Sequence, residues 1–293
     1  MNFICYSPIE VEGFKMKLLV FVGLLMMASC ASSPRQKDTS VLPEVKYQAK
    51  SDYFASKADF AIGRETLELD LSVNVGSDQL ALIIKQCHSG DFAKAYDLSG
   101  ELYPQYKNHP GYWNAVGVCF WQKGEVFRAK QFFSIALEKQ HRYFPALNNL
   151  AIISVNDKDW DQARALLEEA HKIEQRSQVV NYNLGRLYLA FGHYSNALTH
   201  LNLLRDSDFK KSKANLYMGI AQMGVKRYQQ ALELIKPFYL SDKKKDYLKV
   251  YYALTLLETD QKSEARKVIS DLQIDRRNSL FSYYQRLKRG LDE

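Results

Sequence analysis

The chain is predicted to be an all-α solenoid of six 34-residue helix pairs with a closing helix. Two periodic series of small residues predict it. Alanine recurs every thirty-four residues at Ala95, Ala129, Ala163, Ala197, Ala231 and Ala265, and Gly117, Ala151, Gly185, Gly219 and Ala253 precede five of these by twelve. A third observation is the clean ruler itself, which runs from residue 76 to residue 279 with no residue gained or lost. Each period is then one helix pair that buries its apolar stripe by stacking on its neighbours, an architecture that usually serves to bind other proteins.

Small residues at those phases let helix axes cross closely, because a large side chain there would push them apart. Large apolar residues fill the flanking space: Leu150, Leu184 and Met218 one position before the glycine phase, and Phe133, Leu167, Leu201, Ile235 and Ile269 four positions after the alanine phase. The units span 76–109, 110–143, 144–177, 178–211, 212–245 and 246–279, and Gly124 and Gly192 fall at turns. The first unit is degenerate, with Ile83 at the glycine phase, as an end repeat that faces water or a cap is expected to be. Residues 280–293 are assigned to a closing helix, with Leu280, Tyr283, Tyr284 and Leu287 on one face.

The second unit reads W-N-A-V-G-V-C-F over Trp113–Phe120 and K-G-E-V-F-R-A-K-Q-F-F-S-I-A over Lys123–Ala136; the fourth repeats it as N-L-G-R-L-Y and G-H-Y-S-N-A. This pattern resembles the tetratricopeptide repeat (TPR), and the resemblance covers about two thirds of the chain. It implies a right-handed solenoid whose first helices line a concave face, with positions 2, 5, 9 and 12 of each unit directed into it. Position 5 carries Leu80, Asn114, Asn148, Tyr182, Leu216 and Val250; position 9 carries Ile84, Val118, Ile152, Arg186, Ile220 and Leu254. Position 12 carries Cys87, Trp121, Val155, Leu189, Met223 and Leu257.

A peptide-binding groove on this face would be built by Asn114, Val118, Trp121, Asn148, Ile152, Tyr182, Arg186, Leu189, Ile220 and Met223. Aliphatic residues would supply burial, and the asparagines, Tyr182 and Arg186 would fix register. Two alternatives stay open: tight curvature buries the stripe as core, or residues 51–75 occupy it. A carboxylate-clamp site, known in some members of the family, is matched in part by Asn183 and Lys213 and contradicted by apolar Ile152.

The N-terminal region carries a second signal. Met16-Lys17 opens a positive stretch, Leu18 to Ala28 is an eleven-residue apolar run, and Met27-Ala28-Ser29-Cys30 ends it. The run is too short to span a bilayer and has the proportions of a signal peptide. Residues 1–29 are read as that signal, with Met16 as its true start. The ending resembles a bacterial lipobox, which implies lipidation of Cys30, and Ala31 after it resembles lipoproteins sent to the outer membrane. Residues 30–50, rich in Ser, Pro, Lys, Gln and Asp, read as a lipidated tether reaching about 25 Å. Residues 51–75 read as a docking segment in which Thr66 to Val73 alternates like an extended strand.

Composition fits a folded repeat body, with 46% hydrophobic residues in 293. The net charge of +7 is scattered and accompanies no recognition motif, which argues against nucleic acid as a partner. Cys87 and Cys119 read as separate thiols in an apolar core, although an oxidising compartment would allow a bridge. His88, His109, His141, His171, His193 and His200 form no metal-ligand spacing, no nucleophile elbow or phosphate-binding loop is present, and adjacent Glu168 and Glu169 point to different sides of a helix. No catalysis, cofactor, metal or small-molecule substrate is expected.

The reading that joins these signals is an outer-membrane-anchored scaffold or assembly factor with a periplasmic body, attached to the membrane by its lipid alone and holding a segment of an envelope protein. The architecture is similar to that of the pilotin lipoproteins of type IV pili, which implies a secretin, pilus or motility complex as the partner. A regulatory adaptor that recruits cell-wall hydrolases or proteases is the alternative.

Overall fold

The structure is a computed structural model that describes residues 78–205 and 211–293. Residues 1–29 expected to be a signal peptide, Cys30, and the expected tether and docking segment up to residue 75 lie outside the described residues. Every regular element among those described is a helix, in the order α1 (Asp78–His88), α2 (Phe92–Tyr106), α3 (Pro110–Gln122), α4 (Val126–Lys139), α5 (Phe144–Asn156), α6 (Trp160–Ile173), α7 (Gln178–Ala190), α8 (Tyr194–Asn202), α9 (Lys211–Gly224), α10 (Tyr228–Ser241), α11 (Asp246–Glu258), α12 (Lys262–Val268) and α13 (Phe281–Asp292). Odd-numbered helices up to α11 are the first, and even-numbered the second, of each pair. Each first helix packs on the second helix of its own pair, and from α4 onward each second helix packs on the first helix of the next.

The glycine phase and the large-residue phase meet as the period requires. A Cβ at Gly117 would stand 2.6 Å from the Phe133 ring, one at Gly185 2.5 Å from Leu201, and one at Gly219 2.8 Å from Ile235. These distances leave no room for a side chain, so the three pairs are complementary contacts between the two helices of a unit. The alanines of the first series are all fully buried, as are Phe133, Leu167, Leu201 and Ile235.

The turn inside each unit uses a left-handed residue, and those residues keep the same period. They are Gly90, Gly124, Lys158, Gly192, Lys226 and Asp260, with φ between 61° and 84°. Glycine adopts this conformation without a steric penalty; the two lysines and the aspartate do not. Second helices start on local caps in two units, where Asp91 accepts from the Lys94 amide and Asp159 from the Gln162 amide, both at 3.1 Å. Such a cap contributes on the order of 1 kcal/mol.

The two ends differ from the middle. At the C-terminal end α12 stops at Val268, and α13 lies against α11 with Tyr284, Leu287 and Leu291 buried. Tyr284 donates to the Leu272 carbonyl at 2.6 Å, which holds the irregular stretch between α12 and α13 against the cap. At the N-terminal end Cys87 and Cys119 form a disulfide, with Cα atoms 5.3 Å apart. This corrects the expectation of separate thiols. First helices α1 and α3 pack directly on each other, so one cysteine late on each helix faces the other across the contact.

Candidate peptide-binding face

Of the ten side chains predicted to line a groove, eight are interior: Asn114, Val118, Asn148, Ile152, Tyr182, Arg186, Leu189 and Ile220 are each at most 2% exposed. The side chains at positions 5 and 9 of this set are therefore packed rather than open. Trp121 and Met223 remain partly exposed, and so do Val155 and Leu257 at the same position 12 of their units. The row they form carries one apolar side chain on each of α3, α5, α9 and α11, over a packed interior. It is interrupted at α7, where Leu189 is fully covered.

Beneath that row the interior is polar in the middle of the array. Asn149 donates to the Asn114 side chain at 2.9 Å, Asn148 to that of Asn149 at 3.1 Å, and Asn183 to that of Asn148 at 2.8 Å. The chain of amides crosses α3, α5 and α7, and all four residues have no exposed surface. A buried amide is stabilising only with its hydrogen bonds made, so the chain fixes the register of three successive first helices.

One turn further along α7, the Arg186 guanidinium lies 5.4 Å from the ring centroids of both Tyr182 and Tyr217. The two rings are themselves 5.8 Å apart, so the cation joins α7 to α9 through aromatic faces. In the last unit Lys249 on α11 pairs with Asp271 at 2.8 Å. Lys213, at position 2 of the fifth unit, is exposed on α9. Sequence reasoning missed Asn149 as part of the network, because it stands at position 6, outside the phases assigned to the concave face.

Chemically the face offers apolar contact with polar groups close below it. Among the described residues no group of three or more His, Cys, Asp and Glu side chains could hold a metal ion. No helix among them is long and apolar enough to cross a membrane.

Residues 155–223 match the family model described as tetratricopeptide repeat. The solved structure of pilF from Pseudomonas aeruginosa is similar, with a TM-score of 0.56 and 17% identity over 72% of this chain and 95% of that one. YrrB, described as a TPR protein with an unusual peptide-binding site, superposes with a TM-score of 0.54 and 16% identity over 64% of this chain and 97% of its own. At these identities the likeness is one of fold. No curated protein matches the sequence significantly. The array is a tetratricopeptide-repeat fold, which typically serves as a non-catalytic scaffold for protein–protein interaction.

Proposed function

We propose that this tetratricopeptide-repeat chain is an outer-membrane-anchored scaffold that holds a peptide segment of an envelope protein along its first helices. The observation that carries the reading is the row of Trp121, Val155, Met223 and Leu257, one partly exposed apolar side chain from each of four first helices. A spacing of this kind suits an extended or helical segment, which can place an apolar residue against units 2, 3, 5 and 6. The buried amides and the Tyr182–Arg186–Tyr217 contact then serve the site indirectly, by holding the first helices at fixed spacing beneath the row.

Export has two supports. The apolar run at 18–28 and Cys30 have the form of a lipoprotein leader. The Cys87–Cys119 bridge suits an oxidising compartment outside the cytoplasm. The fold is shared with pilF, a relation that favours a secretin, pilus or motility complex as the partner.

The test is site-specific photocrosslinking in whole envelopes, from position 121 or 223 on the row and from exposed Phe127 on α4 as the control. The reading expects one envelope polypeptide joined through the row and none through α4. Adducts from α4 alone, or none from the row, would show it to be wrong. Cys30→Ser is expected to move the body from the membrane to the soluble periplasmic fraction, and unchanged membrane retention would remove the anchor from the proposal.

A further inference from the structure

Two histidines on the outer helices of units 3 and 4 meet inside the joint between those units. The rings of His171 on α6 and His200 on α8 are 4.8 Å apart at 83°, edge against face. On its other side His200 stacks on Tyr188 of α7 at 5.6 Å and 13°. Tyr188 in turn donates from Oη to Glu168 of α6 at 2.7 Å. The contacts therefore run from α6 through α7 to α8 and back to α6.

The hydrogen bonds fix where a proton could be accepted. Asn181 on α7 spends both amide hydrogens on the Gln175 and Ser177 carbonyls of the connecting turn, each at 2.8 Å. Its Oδ1 is left to accept, and it faces His200 Nδ1 at 3.0 Å. The neutral His200 ring thus carries its hydrogen on Nδ1, and Nε2 is the basic atom. His171 Nδ1 is buried with no hydrogen bond among the described residues.

We infer that His171 and His200 form a proton-sensitive joint, closed while the His200 ring is neutral and loosened when a proton from solvent adds to His200 Nε2. The added charge would sit between a second imidazole and the Tyr188 ring, in a pocket already partly withdrawn from water. The charged and titratable groups on the elements packed around the pair include Asp161, Arg164, Glu168, Glu169 and Lys172 of α6, Tyr182, Arg186 and Tyr188 of α7, His193 and Tyr194 at the start of α8, and Lys213 and Tyr217 of α9. Glu168 is the carboxylate linked to the pair through Tyr188, and it also faces Arg164 at 4.0 Å. Lys172 holds Glu169 at 3.5 Å.

Burial pushes the His200 imidazole down to about 4, and the neighbouring His171 adds to the effect. An imidazole released to water takes up its proton near 6.5. The opened joint therefore binds more protons than the closed one as pH falls from 6.5 towards 4, and closure weakens across that window. Above it the contribution is fully present. In a solenoid each joint is a nearest-neighbour interface, so the change is confined to units 3 and 4.

The experiment is amide hydrogen exchange on the full chain at pH 7 and pH 5, corrected for intrinsic rates, together with NMR titration of the His200 ring. The joint predicts about twentyfold more opening of α6–α8 at pH 5 than at pH 7. It also predicts that α10 and α11, which carry no histidine, are unchanged, and that the His200 midpoint lies well below the ordinary value. His171→Phe with His200→Phe keeps two rings in place and should remove the pH dependence. The same dependence in this variant would overturn the inference, as would a wild-type His200 midpoint near 6.5, which needs no variant to fold.

Discussion

Units 2 and 4 obey the same pattern of small and large residues, yet they fill the space between with different chemistry. In unit 2 the filling is aromatic: Trp113 and Phe120 stack on Phe132 at 5.9 and 4.9 Å, and Tyr96 of the preceding unit stacks on Phe120 at 5.3 Å. A sulfur bridge then ties α3 to α1. Unit 4 instead buries Asn181, Asn183 and Arg186 among tyrosines. Ring contacts are individually weak and tolerate small shifts, whereas hydrogen-bonded amides accept one register. The period thus sets the spacing of the backbone and leaves each unit free in how it coheres: the N-terminal end is cross-linked and the middle is registered by polar groups.

The largest expected effect concerns the aromatic unit. Phe133→Ala removes a fully buried ring from against Gly117 and should cost about 3–5 kcal/mol, measured by urea unfolding. A loss below about 1 kcal/mol would mean that unit 2 does not depend on its rings. Next comes the bridge. Cys87→Ala with Cys119→Ala should cost about 2–4 kcal/mol, read as faster amide exchange in α1 to α3 with α9 to α11 unaffected. Uniform acceleration along the array would deny that the two regions cohere separately. The smallest effect probes what the units share: Lys158→Gly or Lys226→Gly should raise stability by up to about 1 kcal/mol in thermal melts, and Gly192→Ala should lower it by a similar amount. A loss on placing glycine at either lysine would show that the lysine side chain contributes more than its backbone conformation costs.

The fold was legible because close helix crossings demand small residues, and the chain supplies them at a fixed interval. The pairing of Gly117 with Phe133, Gly185 with Leu201 and Gly219 with Ile235 follows from that interval alone. The face was legible only in part. An aliphatic residue at position 9 looks the same whether it lines a groove or packs in a core, so Val118, Ile152 and Ile220 could not be placed by spacing. The amide chain was hidden for another reason: Asn114 and Asn148 stand at position 5 and Asn149 and Asn183 at position 6, so a ruler that keeps phases apart separates partners that hydrogen-bond. The Cys87–Cys119 bridge joins positions that are not equivalent in their units, and a period carries no information about such a pair. The His171–His200 contact has the same character, formed between different phases of adjacent second helices.

The bridge between α1 and α3 also decides how the molecule would carry a load. A pull from the N-terminal side enters at α1 and passes from Cys87 to Cys119 through sulfur, bypassing residues 88–118. Helix α2 and its turns are shielded from that tension, and the first element to feel it beyond the bridge is the end of α3, beside Trp121. Reduction of the bond would return α2 to the line of force.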